Sequence, residues 1–247
     1  MDGTRRNQLY RALTKAIHGS SPFITIFALV HLSAPLLANL GGSSLASQTM
    51  LLGREYYQTS FGEAALVITP ITVHVLSALL KRLLASTSSD PKNAPTPRPI
   101  TSPLSVTGYA TALLFLPIHY LSHRSDPTSE APPIFGVGPA ELDFEFVKLG
   151  LQRWPVRSWI LYGGLVLFTS IHVADGIGLL WATYFKPSSD SGKQVRNRKL
   201  RRRLALGGVV LPTLTGIYFI AQEPLMTFSS TAGRYTASFM RSFVYRI

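Results

Sequence analysis

The sequence contains no cysteine. Disulfides, thiolate metal sites and covalent attachment of haem are therefore excluded. Charged residues are also scarce, at 15% of the chain, and acidic residues are half as numerous as basic ones. A soluble domain usually has about 25% charged residues, so this composition does not fit a soluble enzyme.

The apolar residues lie in long runs instead. A helix needs about 17 to 25 mostly apolar residues to cross a hydrocarbon layer about 30 Å thick. Five runs have this length, at 22–40, 64–80, 104–121, 158–185 and 204–221. Because lipid cannot satisfy free backbone groups, each run is expected to be helical. The sequence predicts an all-α membrane protein, a five-helix transmembrane bundle.

The net charge of +12 is divided unequally between the two faces of this predicted bundle. The face formed by the amino-terminal segment and the 81–103 and 186–203 linkers, here called side A, carries sixteen of the 24 Lys and Arg residues. The opposite face is side B. The positive-inside rule predicts a cytosolic amino terminus and a carboxyl terminus on the far side. The basic run 193–203 is interpreted as an orientation signal that meets anionic lipid, and not as a nucleic-acid site.

Two halves of the chain have the same pattern, which suggests two parallel two-helix repeats at 22–84 and 104–185. In each half a span with one His leads to an acidic and aromatic cluster, and the next span carries another His. Parallel repeats place equivalent residues at the same depth. The remaining segments are a basic amphipathic stretch at 1–21, a Pro/Ser-rich linker at 85–103, a basic linker at 186–203, and the fifth helix with an amphipathic tail at 204–247. The tail is expected to lie flat on the membrane.

Each of the first four spans carries one His residue: His31, His74, His119 and His172. An ionisable side chain inside a membrane is costly and is a candidate for function. Two imidazoles from different helices are the usual axial ligands of b-type haem, so these residues predict one or two haems. The alternative is that each His forms a hydrogen bond with a neighbouring helix.

Depth in the membrane favours particular pairs. His74 and His172 both lie near the middle of their spans and form the better pair. His31 is central in its span but His119 is near the side B end, so this second pair needs a shifted or tilted third helix. The other two histidines, His18 and His123, are expected to lie outside the central membrane region.

Four more residues are candidates for holding the cofactor. Gly176 is on the same helical face as His172 and leaves space for a flat macrocycle. Asp175 is close enough to orient the imidazole of His172 through its second nitrogen. Arg54 and Arg124, at side B, are expected to bind the haem propionates or to act as interfacial anchors. Helix packing is the alternative for Gly176, and a buried hydrogen bond is the alternative for Asp175.

The stretch His172-Val-Ala-Asp-Gly-Ile-Gly is similar to the His-x-x-x-Gly-Ile-Arg segment of the cytochrome b subunits of succinate dehydrogenase and fumarate reductase, in which that His binds haem. Here Gly178 stands in place of the Arg, which argues against a quinone site built around it. The arrangement of five spans and four His also resembles the dihaem anchor of fumarate reductase.

Several longer motifs carry a second resemblance. They are His31-Leu-Ser-Ala-Pro35, Gly53-Arg-Glu-Tyr-Tyr-Gln58, Thr107-Gly-Tyr109, Pro117-Ile-His-Tyr-Leu-Ser-His-Arg124, Gly138-Pro-Ala-Glu-Leu-Asp-Phe-Glu-Phe146 and His172-Val-Ala-Asp-Gly176. With these motifs the chain resembles the Mcp family, fungal adaptor proteins of the mitochondrial outer membrane in the same superfamily. The resemblance implies a role in mitochondrial lipid homeostasis, with recruitment of a bridge-like lipid-transfer protein at contact sites.

In that family the partner binds a short Pro-x-Pro segment. Here such segments occur at Pro95-Thr-Pro97 and Pro97-Arg-Pro99, in the linker on the predicted cytosolic side. An extended proline-rich peptide is accessible to a binding domain. These three prolines are therefore candidates for partner binding, and a plain spacer is the alternative.

Three functions remain open from the sequence. The first is a membrane adaptor with a haem, the second is an electron-transfer cytochrome b with two haems, and the third is a lipid scramblase. A scramblase needs a polar groove across the bilayer, and six residues of the spans could line one: Thr69, Thr72, Ser77, Thr107, Thr111 and Asp175. Scattered Ser and Thr are also common between packed membrane helices.

Overall fold

The structure is a computed structural model that describes residues 3–86, 98–185 and 191–246. In these described ranges, five helices are long and apolar enough to cross a membrane, which confirms the all-α, five-helix prediction. They are α1 (Gly3–Tyr57), α2 (Ser60–Ala85), α3 (Pro103–Thr128), α5 (Pro155–Tyr184) and α6, which joins Ser191–Ala205, a π-helical turn at Leu206–Val210 and Leu211–Gln222. Shorter helices are α4 (Phe144–Arg153), α7 (Ser229–Arg241) and α8 (Phe243–Arg246).

The surfaces of the long helices are apolar and mostly uncovered. Between 17% and 28% of the most apolar window of each one is buried within the protein. The rest exposes large aliphatic and aromatic side chains such as Leu29, Leu113 and Ile160. A surface of this kind is stable in hydrocarbon and not in water, so the helices suit a lipid bilayer.

Helix α1 is longer than one membrane crossing because it folds back on itself. Its backbone leaves the helical region at Gly41 and Gly42, and Gly42 has a φ of 60°, which glycine adopts without strain. After this break, residues 43–57 return along the first arm. A Cβ atom on Gly53 would lie 3.2 Å from Cγ1 of Val30. Most of the segment between the first two predicted spans is therefore a helix.

The basic segments at side A are also helical where the structure describes them. The amino-terminal residues from Gly3 onward continue directly into the first span as part of α1. The 186–203 linker is helical from Ser191 onward and runs without a break into the fifth span. Of the 85–103 linker, residues 87–97 lie outside the described residues, and the helix α3 begins at Pro103.

The side B end of the bundle is covered by α4 and the carboxyl-terminal helices. Phe146 of α4 stacks on Phe239 of α7 with ring centroids 4.2 Å apart, and Tyr235 and Tyr245 complete this core. Tyr235 and Tyr245 are both 2% exposed. Burial raises the pKa of the Tyr235 phenol, whose OH donates to the carbonyl of Glu141. Tyr235 and Phe239 of the tail pack against the protein, while Phe243 is 64% exposed, and the position of the tail on the membrane stays a prediction.

Candidate functional site

A large cavity lies within the bundle among α1, α2, α3 and α5. Its volume is about 1290 Å³, compared with about 300–1,000 Å³ for usual small-molecule sites. All six histidines of the sequence line it: His18, His31, His74, His119, His123 and His172. The cavity therefore contains the four imidazoles that the sequence singled out, together with two that were expected elsewhere.

The first pair of imidazoles is His74 from α2 and His172 from α5. Their ring centroids are 6.1 Å apart and the ring planes are at 82°. Nδ1 of His172 donates to the carbonyl of Leu104 at 3.1 Å, and Nδ1 of His74 is 3.2 Å from the hydroxyl of Ser20. Because a carbonyl only accepts, the proton of His172 is on Nδ1, and Nε2 keeps a free lone pair. This arrangement is typical of a metal-binding imidazole.

A glycine of α3 allows this pair to form. A Cβ atom on Gly108 would lie 2.7 Å from Cε1 of His172, so only glycine lets the ring lie this close to α3. Sequence reasoning did not assign a role to Gly108, although it belongs to the Thr107-Gly-Tyr109 motif. Gly176 also lines the cavity, and no atom lies within 4 Å of where its Cβ would be, so the space beside it is open.

The second pair is His31 from α1 and His119 from α3. Their ring centroids are 5.9 Å apart and the planes are at 77°. Nδ1 of His31 is 3.3 Å from the hydroxyl of Tyr57, on the returning arm of α1. The sequence indicated that this pair needs a shifted third helix, and α3 contains π-helical turns at Ala110–Phe115 and Leu121–Ser125. Such turns take in extra residues and change the direction in which later side chains point.

The two pairs lie at different depths along the bundle. Ser20, which contacts His74, and His31 are eleven residues apart on the first arm of α1. At about 1.5 Å per residue, this places the two pairs about 16 Å apart along the helix.

The spacing within each pair is suited to one metal ion. If two imidazole nitrogens each bind a metal at about 2.0–2.1 Å, with the ring centre about 1 Å behind each nitrogen, the centroids lie about 6 Å apart. Among the described residues, no group of three or more His, Cys, Asp or Glu is placed to hold a metal ion. Each imidazole pair therefore needs ligands from outside the protein, and a porphyrin supplies four nitrogens in a plane.

The arginines predicted at side B line the cavity. Nη1 of Arg54 donates to the carbonyls of Pro139 at 2.7 Å and Leu142 at 2.6 Å. Arg124 forms a two-pronged ion pair with Glu63, with both N–O distances at 2.7 Å. The charge of Arg124 is thus balanced by Glu63. Arg54 donates to neutral carbonyls and has no ion pair among the described residues. It is therefore the stronger candidate for binding the carboxylate of a haem propionate.

Three cations at the side A end of the cavity were not identified from the sequence. Lys81, Arg82 and Arg98 all line it. Nε of Arg82 donates to the hydroxyl of Tyr109 at 2.5 Å, and Nζ of Lys81 is 4.5 Å from the ring centre of Tyr10. The sequence shows them only as part of the positive charge that follows the second span. In the structure they give the cavity a positive end near His74 and His172.

Asp175 does not orient His172, contrary to the sequence-based expectation. Both oxygens of its carboxylate bind Arg202, at 3.0 Å to Nε and 2.5 Å to Nη2, and the carbonyl of Leu104 takes the role expected for it. The reason is the helical basic segment, which packs against α5 and brings a guanidinium to Asp175. The local spacing from His172 to Asp175 could not reveal this competitor.

His123 is part of the site rather than outside it. Its ring stacks on His119 with centroids 4.5 Å apart and planes at 22°. Both of its nitrogens have partners, since Nε2 is 2.8 Å from the hydroxyl of Tyr162 and Nδ1 is 2.8 Å from Oγ of Ser122. His123 therefore supports His119 and is not itself placed to bind a metal.

Of the prolines proposed for partner binding, Pro95 and Pro97 lie outside the described residues. Pro99 is exposed and lies at the side A end of the cavity. Comparison with known proteins gives no relative: no family model, curated protein or solved structure matches this chain.

Proposed function

We propose that this chain is a membrane-embedded protein that holds two b-type haems, each between two histidines from different helices. The observation that carries the proposal is that four imidazoles from four long helices form two pairs, with centroids 6.1 and 5.9 Å apart, in one cavity. The pairs join equivalent members of the two predicted repeats, which supports the parallel-repeat interpretation.

The residues of the chain have distinct roles in this proposal. His74 and His172 hold one iron, and the bond from His172 to the carbonyl of Leu104 fixes its tautomer. His31 and His119 hold the other iron. The cations at the two ends of the cavity, such as Arg82 and Arg54, would neutralise the propionates, and the mostly apolar lining would surround the macrocycle. A bound haem supplies a metal that can change its oxidation state by one electron.

Haem content and its dependence on single histidines test this proposal. The purified protein is expected to carry two noncovalent haems with the absorption of low-spin iron. His172→Ala or His74→Ala should remove about half of this signal, and His31→Ala or His119→Ala the other half. His18→Ala is the matched control, because His18 lies in the same cavity but its ring bonds to Tyr184. A colourless but folded preparation from haem-replete cells would contradict the proposal.

For the cellular role, we propose an adaptor of the mitochondrial outer membrane that recruits a bridge-like lipid-transfer protein in lipid homeostasis. The motifs shared with the Mcp family support this role, as does the exposed position of Pro99 at side A. Replacing Pro95, Pro97 and Pro99 with Ala should abolish recruitment without affecting membrane insertion. Full recruitment by this variant would place the docking segment elsewhere.

Transmembrane electron transfer is the second candidate, and the depth difference between the two pairs favours it. Two histidine pairs about 16 Å apart along α1 would hold two haems at different depths, and these would offer a path for electrons between the two sides. Fast reduction of the purified protein by a short-chain quinol, lost in His172→Ala, would favour this function over a purely structural haem.

A further inference from the structure

A second, smaller pocket lies at the side A end of the bundle, beside the histidine cavity, and shares Arg98, Leu104 and Leu179 with it. Its volume is about 130 Å³. A cavity of this size has room for a small polar group such as a phosphate. The pocket lies between the start of α3, the end of α5 and the basic part of α6, with Ser102, Leu104 and Leu179 among its lining residues.

Two arginines line this pocket. Arg98 comes from the segment before α3, and Arg198 comes from α6. Neither has a carboxylate partner among the residues that the structure describes. The acid in the lining, Asp175, is already held at both oxygens by Arg202. The pocket therefore keeps two positive charges that a bound anion can neutralise.

The pocket is also at the depth of lipid headgroups. Trp181 and Tyr184 follow Leu179 on α5 and are 59% and 58% exposed, and Phe185, directly after the helix, is 71% exposed. Aromatic side chains of this kind mark the boundary between the hydrocarbon and the polar headgroups. Basic pockets between membrane helices at this level are a common form of site for phosphorylated headgroups, and Arg is the side chain best shaped to bind phosphate.

We propose that Arg98 and Arg198 form a binding site for a phosphate group, presented by an anionic phospholipid of the side A leaflet or by free phosphate. The site contains no histidine, and it shares Arg98 with the positive end of the histidine cavity. It would give the protein a specific lipid contact in place of a diffuse attraction between the basic helix and the membrane.

The test measures lipid binding to the full-length protein, purified in a neutral detergent, by native mass spectrometry. The probes are dioctanoyl phosphatidic acid, dioctanoyl phosphatidylcholine and inorganic phosphate. Arg98→Gln combined with Arg198→Gln should weaken binding of the acid about tenfold or more, because both charged hydrogen-bond donors are lost. If inorganic phosphate displaces bound phosphatidic acid, the site recognises the phosphate group alone. If inorganic phosphate does not displace it, the site recognises a lipid headgroup together with its chains.

The matched control removes the same charge from the same helix outside the pocket. Arg196 and Lys199 are exposed on α6 and do not line the pocket. Arg196→Gln combined with Lys199→Gln should change the affinity for phosphatidic acid by less than about threefold, because interactions between exposed charges contribute little free energy. Equal losses of affinity in both double variants, or binding of phosphatidic acid that neither double variant weakens, would overturn the proposal. Gel filtration of each variant verifies that the fold is kept, which is expected because all four side chains are exposed.

Discussion

Removing the buried ammonium of Lys148 should strongly destabilise the side B end of the bundle. Lys148 is 0% exposed. Its Nζ donates to Oε1 of Glu145 at 2.5 Å, Oγ of Ser43 at 3.3 Å and the carbonyl of Pro224 at 3.1 Å, and it lies 3.3 Å from Oε2 of Glu223. These contacts join the returning arm of α1, helix α4 and the end of α6.

The variant Lys148→Met leaves two carboxylates without their cation. Their side chains are only 15% and 32% exposed, so water replaces the lost partner poorly. Breaking a buried ion pair from one side costs about 3–5 kcal/mol. At about 2–4 °C per kcal/mol for a chain of this length, the melting temperature should fall by at least about 6 °C.

Thermal unfolding in detergent, followed by gel filtration of the surviving folded protein, measures this loss. Lys199→Met is the matched control, since Lys199 is exposed on α6 and its loss should cost no more than about 0.5 kcal/mol. Adding Glu145→Gln and Glu223→Gln to Lys148→Met should recover most of the stability, because no uncompensated charge then remains. If Lys148→Met melts within a degree or two of the control, the network does not stabilise the fold.

The pH dependence of stability gives an independent measurement of the same cluster. Burial raises the pKa of Glu223, but hydrogen bonds from Ser43 and Lys148 outweigh it and bring the pKa below its ordinary value of 4.5. The folded state therefore favours the carboxylate of Glu223. The ionised Glu223 contributes fully to the free energy of unfolding above about pH 4.5, and this contribution is lost as the pH falls through the lowered pKa. The variant that combines Lys148→Met, Glu145→Gln and Glu223→Gln should therefore lose less stability than the unmodified protein as the pH falls through this range.

Two further predictions concern the site and the topology. Gly108→Ala should displace the ring of His172, because the new Cβ would lie 2.7 Å from Cε1. About half of the haem absorption should then be lost. Gly207→Ala is the control, because no atom lies within 4 Å of its new Cβ, and it should leave the haem absorption unchanged. Since the chain has no cysteine, single thiols introduced as Arg196→Cys and Ser229→Cys can be labelled selectively, and they should react from opposite sides of the membrane. Labelling of both thiols from the same side would contradict a membrane crossing by the apolar part of α6, which lies between the two positions.

The sequence by itself determined the class of the protein and the candidates for its chemistry. Long apolar runs must be helices in lipid, since only an internal set of hydrogen bonds satisfies the backbone there. The four histidines could be recognised because an imidazole is costly inside such a run. Both properties are local, so each can be read from a short window of residues.

The tertiary structure alone decided how these parts meet. The break at Gly41 and Gly42 turns the second part of α1 back along the first, and this brings Tyr57 to His31. The contact of Arg202 with Asp175 joins residues 27 positions apart, and the bond from Tyr235 to Glu141 joins residues 94 apart. Such contacts depend on how helices pack across the bundle, and the local hydrophobic pattern that reveals a helix does not specify which neighbour each of its faces will meet.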